Sequence, residues 1–189
     1  MKKVLCTIIT IVFIFALAAC EAGTTQSTPA YPIGMDSGYC EGIGGYAWGT
    51  DKATVSANTS FRLSKTGNAV LDNAEFAGIP GELSLRFSND EDTLVAGIFT
   101  FQPANPIDSY KTIFNTLVLA YGNDVGTATM WSSDGTVQAA PTVDELKENG
   151  NSGAVSLWYE IPAGDENTAS VMLTLSANGI IMLHFMLDL

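Results

Sequence analysis

Histidine is almost missing from this chain of 189 residues: His184 is the only one. A single imidazole excludes a multi-histidine zinc site within one chain. Basic residues are also scarce, 8 Lys+Arg against 20 Asp+Glu for a formal charge of −12. That balance argues against nucleic acid as a partner, because neutralising phosphates takes clustered Lys and Arg. Three cysteines are too few for a disulfide scaffold. No G-x-S-x-G nucleophile elbow occurs, and the acidic runs Asp90-Glu91-Asp92 and Asp165-Glu166 lack calcium-loop spacing, so they read as solvated turns. Gly42-Ile43-Gly44-Gly45-Tyr46-Ala47 has the G-x-G-x-x-A spacing of a dinucleotide loop. It lacks the hydrophobic strand before it and the long helix after it that such a loop needs. No cofactor and no metal are therefore expected. What is plentiful is apolar: 47% of residues are hydrophobic, with 9 Phe, 6 Tyr and 3 Trp, which excludes intrinsic disorder.

The amino terminus reads as an address. Lys2 and Lys3 precede an apolar run from Val4 to Phe15, broken only by Cys6, Thr7 and Thr10. This is the charged-then-apolar profile of an export signal, and it is shorter than the roughly 20 apolar residues of a membrane span. The run ends in Leu17-Ala18-Ala19-Cys20, which resembles the lipobox of bacterial lipoproteins. The resemblance implies that residues 1–19 are a signal peptide, cut away, and that Cys20 becomes the lipidated first residue. The partner implied is the lipid bilayer, reached through diacylglyceryl-Cys20. The implied location is the extracytoplasmic face of a cell membrane, with the body held by lipid. The alternative is an ordinary signal peptide whose cleavage site happens to abut a cysteine. Two acyl chains, at about 0.8 kcal/mol per buried methylene, hold a soluble body well. Residues 20–189 keep 6 basic residues against 20 acids, a charge of −14. Residues 20–45, polar at Glu21 to Pro32 and then glycine-rich, read as a lipidated flexible linker. Cys40 then has no intramolecular partner and reads as a small, semi-buried residue at the edge of the fold.

The rest reads as α+β: antiparallel sheets with short helices on one face. Asp51 or Thr50 caps a short helix with Val55 inward. Strands are expected at 60–64, 69–77, 82–88 and 94–102, with a turn at 78–81 around Pro80. Asp108 caps the strongest helix, where Tyr110, Ile113, Phe114, Leu117, Val118 and Tyr121 recur at helical spacing up to Gly122. Short strands near 127–131 and 136–139, a capping-box helix from Thr142 and Glu145 to Gly150, and strands at 154–161, 169–177 and 180–189 complete the chain. LSLRFS at 83–88 aligns with VMLTLS at 171–176, and LVAGIFTF at 94–101 with IIMLHFML at 180–187. The chain thus divides into a first half, 46–104, and a second, 105–189. These are either a tandem repeat of two helix-plus-four-strand units or one continuous domain whose strands look alike only through period-two alternation.

Trp48-Gly49-Thr50-Asp51-x-x-x-Val55, the helix ending in Tyr121-Gly122 and Trp158 in a later strand are similar to uncharacterised bacterial lipoproteins with repeated helix-plus-sheet units. The architecture also resembles β-lactamase-inhibitor-like proteins and the small lipoprotein of the outer-membrane assembly machinery, over about residues 46–189. No functional residue carries over from them, since fold does not imply function. One feature of the residues themselves points to a role. The face of the second half away from the core is expected to carry Trp158, Met172, Ile180, Met182, His184 and Met186, where the first half has Glu82, Ser84, Arg86 and Ser88. A one-sided sheet is normally polar outside, so this face needs a cover, from the chain or from a protein or peptide partner. The expectation is a binding or interaction module rather than an enzyme. The alternative is a cell-envelope hydrolase using loop carboxylates.

Overall fold

The computed structural model describes residues 31–123, 129–131, 137–139, 154–164 and 166–188. The signal, Cys20 and the helix expected at 142–150 lie outside the described residues. In chain order the elements are β1 (Gly42–Ile43), β2 (Tyr46–Ala47), α1 (Lys52–Ser56), β3 (Arg62–Leu63), β4 (Ala69–Phe76), β5 (Ile79–Phe87) and β6 (Leu94–Phe101). There follow α2 (Pro106–Tyr121), β7 (Thr129–Trp131), β8 (Val137–Ala139), β9 (Ala154–Pro162), β10 (Thr168–Leu175) and β11 (Ile181–Leu187). The protein is mixed α+β and mostly antiparallel, as its patterning predicts. Seven strands form one sheet in the order β3-β4-β5-β6-β11-β10-β9, and β1-β2 and β7-β8 are separate two-stranded ribbons. The strands of the two halves are hydrogen-bonded to each other through the central β6–β11 pair, where Phe99 faces Leu183 and Ile98 faces His184.

Alternation assigns the faces. Leu83 and Leu85 on β5, Phe99 and Phe101 on β6, Leu183 and Phe185 on β11, and Val171 and Leu173 on β10 are all fully buried on the packed face. Each such side chain contributes roughly 1.5–3 kcal/mol by leaving water. The apolar stripe of α2 closes part of this face: Tyr110, Ile113 and Leu117 are buried, and the Tyr110 hydroxyl meets Ser156 Oγ at 2.9 Å. Pro106 occupies the first turn and Gly122, at φ 81°, ends the helix. The N-cap position is Asn105, with Asp108 inside the first turn, because the helix starts earlier than the Asp108 signal suggests.

Two expectations are corrected. The linker does not extend to residue 45: Met35, Cys40 and Ile43 are buried, and the β1–β2 hairpin lies on the packed face. There Gly97 has no room for a Cβ, which would stand 2.6 Å from Ile43 Cγ2. Gly34, Gly38, Gly44, Gly45 and Gly49 take positive φ, with Gly44 at φ 65° beside Leu83 and Leu85. The turn expected at 78–81 is also smaller, since Pro80 and Gly81 lie inside β5 and only Ala77-Gly78 turns the chain. No helix among the described residues is long and apolar enough to cross a membrane.

Candidate functional site

The second face of the sheet, opposite α2, holds most of the residues expected to form an interaction surface. Ladder register places Met172 opposite His184, and His184 opposite Ile98. Leu157 of β9 faces Met172 on the other side. Along β11 itself, Met182 and Met186 flank His184 on the same face, opposite Thr100 and Ala96 of β6. Met172, Met182, His184 and Met186 are half-buried, whereas Ile98 and Val70, deeper in the same row, are 5% and 4% exposed. Burial depresses the His184 pKa, and the Arg86 guanidinium adds to the shift, so the ring is neutral at pH 7.

Trp158 is not part of this surface. It sits on the packed face at 2% exposure, its ring 5.7 Å from that of Phe114 on α2 and its Nε1–H donating to the Gly122 carbonyl at 2.9 Å. The reason is that β9 is apolar on both faces, so alternation could not choose between them. The choice falls to α2, whose Tyr110 satisfies Ser156 and whose end supplies the acceptor that a buried indole needs. Ile180 is half-buried and precedes β11 in the turn, its N–H bonded to Ser176 Oγ at 3.1 Å.

Beside the apolar stripe lies a polar depression of about 470 Å³, lined among others by Asp72, Asn73, Glu75, Glu82, Thr100 and Gln102. A bulge makes it. Leu71 faces Leu83 and Ala74 faces Gly81, so β4 spends three steps where β5 spends two, and Asp72 and Asn73 are pushed out opposite Glu82. Arg62 of β3 bridges the acids, its Nε donating to Asp72 Oδ1 and Oδ2 at 2.8 and 3.0 Å and its terminal nitrogen to Glu82 Oε2 at 3.0 Å. The bond from Arg62 holds the Asp72 carboxyl below its ordinary range. Sequence reading missed this depression. Its one signal was the polar interruption at Asp72-Asn73 in an otherwise good strand.

The arrangement suits polar contacts better than acid-base catalysis. Asp72 and Glu82 share the Arg62 guanidinium, and the lowered Asp72 pKa keeps that acid from serving as the proton donor of a hydrolytic pair. The turn acids Asp90, Glu91 and Asp92 are exposed at the β5–β6 turn, and Glu166 is exposed at the β9–β10 turn. Among the described residues no group of three or more His, Cys, Asp or Glu is arranged to hold a metal ion. Cys40 is fully buried, its N–H donating to the Pro162 carbonyl at 2.8 Å and its carbonyl accepting from Trp48 Nε1. Burial pushes its thiol up to about 12, which makes it an unreactive packing residue. Comparison with known protein families, with curated proteins and with solved structures finds no match to this chain.

Proposed function

We propose that the protein is a lipoprotein anchored by diacylglyceryl-Cys20 on the extracytoplasmic face of a bacterial membrane, and that it binds a protein or peptide partner through the second face of its sheet. The observation that carries the binding role is the grouping of Met172, Met182, Met186 and His184 on two paired strands, flanked by Leu157 and Ile98. Methionine is flexible and polarisable, which suits a surface that must adapt to apolar side chains of a partner. The reading of the anchor rests on Leu17-Ala18-Ala19-Cys20 and the apolar run before it.

The two halves are, on the same reading, copies of one unit, and register supports this independently of alternation. The Leu83–Phe99 pair of the first half corresponds to the Val171–Phe185 pair of the second in the alignment of their sequences. The bulge recurs as well: Trp158 faces Val171 and Ile161 faces Ala169, three steps on β9 against two on β10, as on β4 and β5. Positions 96, 98 and 100 of the first unit, Ala, Ile and Thr, then correspond to Met182, His184 and Met186 of the second.

Two measurements test the reading. Metabolic labelling with radioactive palmitate is expected to mark the chain and to be lost in Cys20→Ala; label retained in that variant refutes the assignment. In-cell crosslinking is expected to capture a partner that Met172→Lys with Met182→Lys no longer binds. Unchanged crosslinks in that variant, with an unchanged circular dichroism spectrum, count against the face.

A further inference from the structure

We infer that the body stands on the membrane in one orientation, with the end of the sheet at the β4–β5 turn toward the bilayer and the acidic β5–β6 end away from it. The inference rests on the lipid anchor proposed above. Its own evidence is the seat of Tyr31, the first described residue. The Tyr31 ring stacks on Phe76 with centroids 4.9 Å apart, and its hydroxyl accepts from the Ala77 N–H at 2.6 Å. The chain is thereby fastened at one end of the sheet.

Ladder register defines that end. Phe76 faces Ile79, Phe101 faces Ile181, and Leu175 faces both Ile181 and Ala154. The Ala77-Gly78 turn and the Ser176–Gly179 turn therefore lie together, with Pro106 of α2 against Gly179. At the opposite end stand Asp51, Asp90, Glu91, Asp92, Glu166 and Asp188, placed by the Phe87–Leu94 pair, the Asp51–Thr93 bridge and the Asp188 N–H bond to Thr168. Among the described residues the cations there are Lys52, Arg86 and, in the β3–β4 turn, Lys65. Among the described residues the tethered end carries Glu75, Asp108 and Lys111.

Only residues 21–30 separate Cys20 from Tyr31. A segment of that length reaches at most about 38 Å when fully extended. The eight-residue strands β4 and β6 make the sheet about 27 Å long. Inverting the body would use most of that reach to span the sheet and press six carboxylates on an anionic surface, and both effects oppose inversion. With the strands upright, the Met172–His184 face looks sideways along the membrane, toward neighbours anchored in the same layer.

Site-specific labelling tests this. Acylation occupies Cys20 and burial protects Cys40, so a fluorophore can be placed on a single new cysteine in the full chain, purified from membranes and returned to phosphatidylglycerol-containing vesicles. Energy transfer to a labelled phospholipid is expected to be at least about twofold more efficient from Ala177→Cys than from Glu91→Cys, given the sheet length between them. Adding Tyr31→Ala is expected to shrink that ratio with the circular dichroism spectrum unchanged. Equal or reversed transfer in an acylated, vesicle-bound chain overturns the orientation and leaves the anchor standing. A chain that takes up no palmitate and does not stay with vesicles overturns the anchor, and the orientation with it.

Discussion

Cys40 and His184 show how burial rather than residue type sets reactivity. The Cys40 thiol is raised from 9.0 to about 12, first by burial, with the Tyr121 hydroxyl bonded to it and opposing the shift. A raised thiol pKa means that the native state excludes the thiolate the unfolded chain would form. The stabilisation is present below about pH 9 and drains away as pH rises toward 12. At pH 8 the native protein is expected to leave a disulfide-exchange reagent unreacted at Cys40 and to react fully in denaturant, which a spectrophotometric thiol assay checks. His184 runs the other way with respect to acid. Its native pKa is depressed, so the unfolded chain binds the proton better, and stability is expected to fall as pH drops below about 6.5. Urea melts at pH 7 and pH 5 should show that loss in the native chain and less of it in His184→Gln. The sequence identified both residues, but it set Cys40 at the edge of the fold. Its full burial depends on Pro162 and Trp48, remote partners that no local pattern reveals.

At the scale of elements, α2 and most strands were legible because their apolar residues repeat at 3.6 or 2 residues, the period of the structure they form. Trp158 was misplaced because β9 carries Val155, Leu157 and Tyr159 on one side and Ala154, Ser156 and Trp158 on the other. Both sides look partly apolar, and only docking of α2 distinguishes them. Pro80 and Gly81 misled in the opposite sense, as turn residues used inside a strand. Gly81 is there for space: a Cβ would stand 2.7 Å from the Thr100 carbonyl oxygen and 2.6 Å from Phe101 Cδ1. Because backbone is involved, Gly81→Ala is expected to destabilise by about 1–3 kcal/mol, measured by denaturant unfolding. The candidate depression was illegible for a related reason. It exists only because the bulge sets Asp72 and Asn73 against Glu82 and Arg62, four residues brought together by pairing of three strands.

For the whole molecule, the decisive contact is β6 with β11, which makes one seven-stranded sheet from strands of both halves. Phe99 and Phe185 pack edge-on across it at 6.4 Å, and Phe76 reaches both. Phe185→Ala is expected to cost about 3–5 kcal/mol. Because the ladder is continuous, the loss should appear in one cooperative unfolding transition and not in the second half alone, which calorimetry can distinguish. Local physics decided part of this protein by itself. Hydrophobic periodicity set the α+β class and the main elements, because it depends on residues near one another in the chain. Tertiary structure alone decided the strand order, the burial of Met35, Cys40 and Ile43, and the side of the sheet taken by Trp158. Those outcomes depend on which distant segments compete for the same buried area and the same hydrogen-bond partners, and a pattern of period 2 or 3.6 carries no record of that competition.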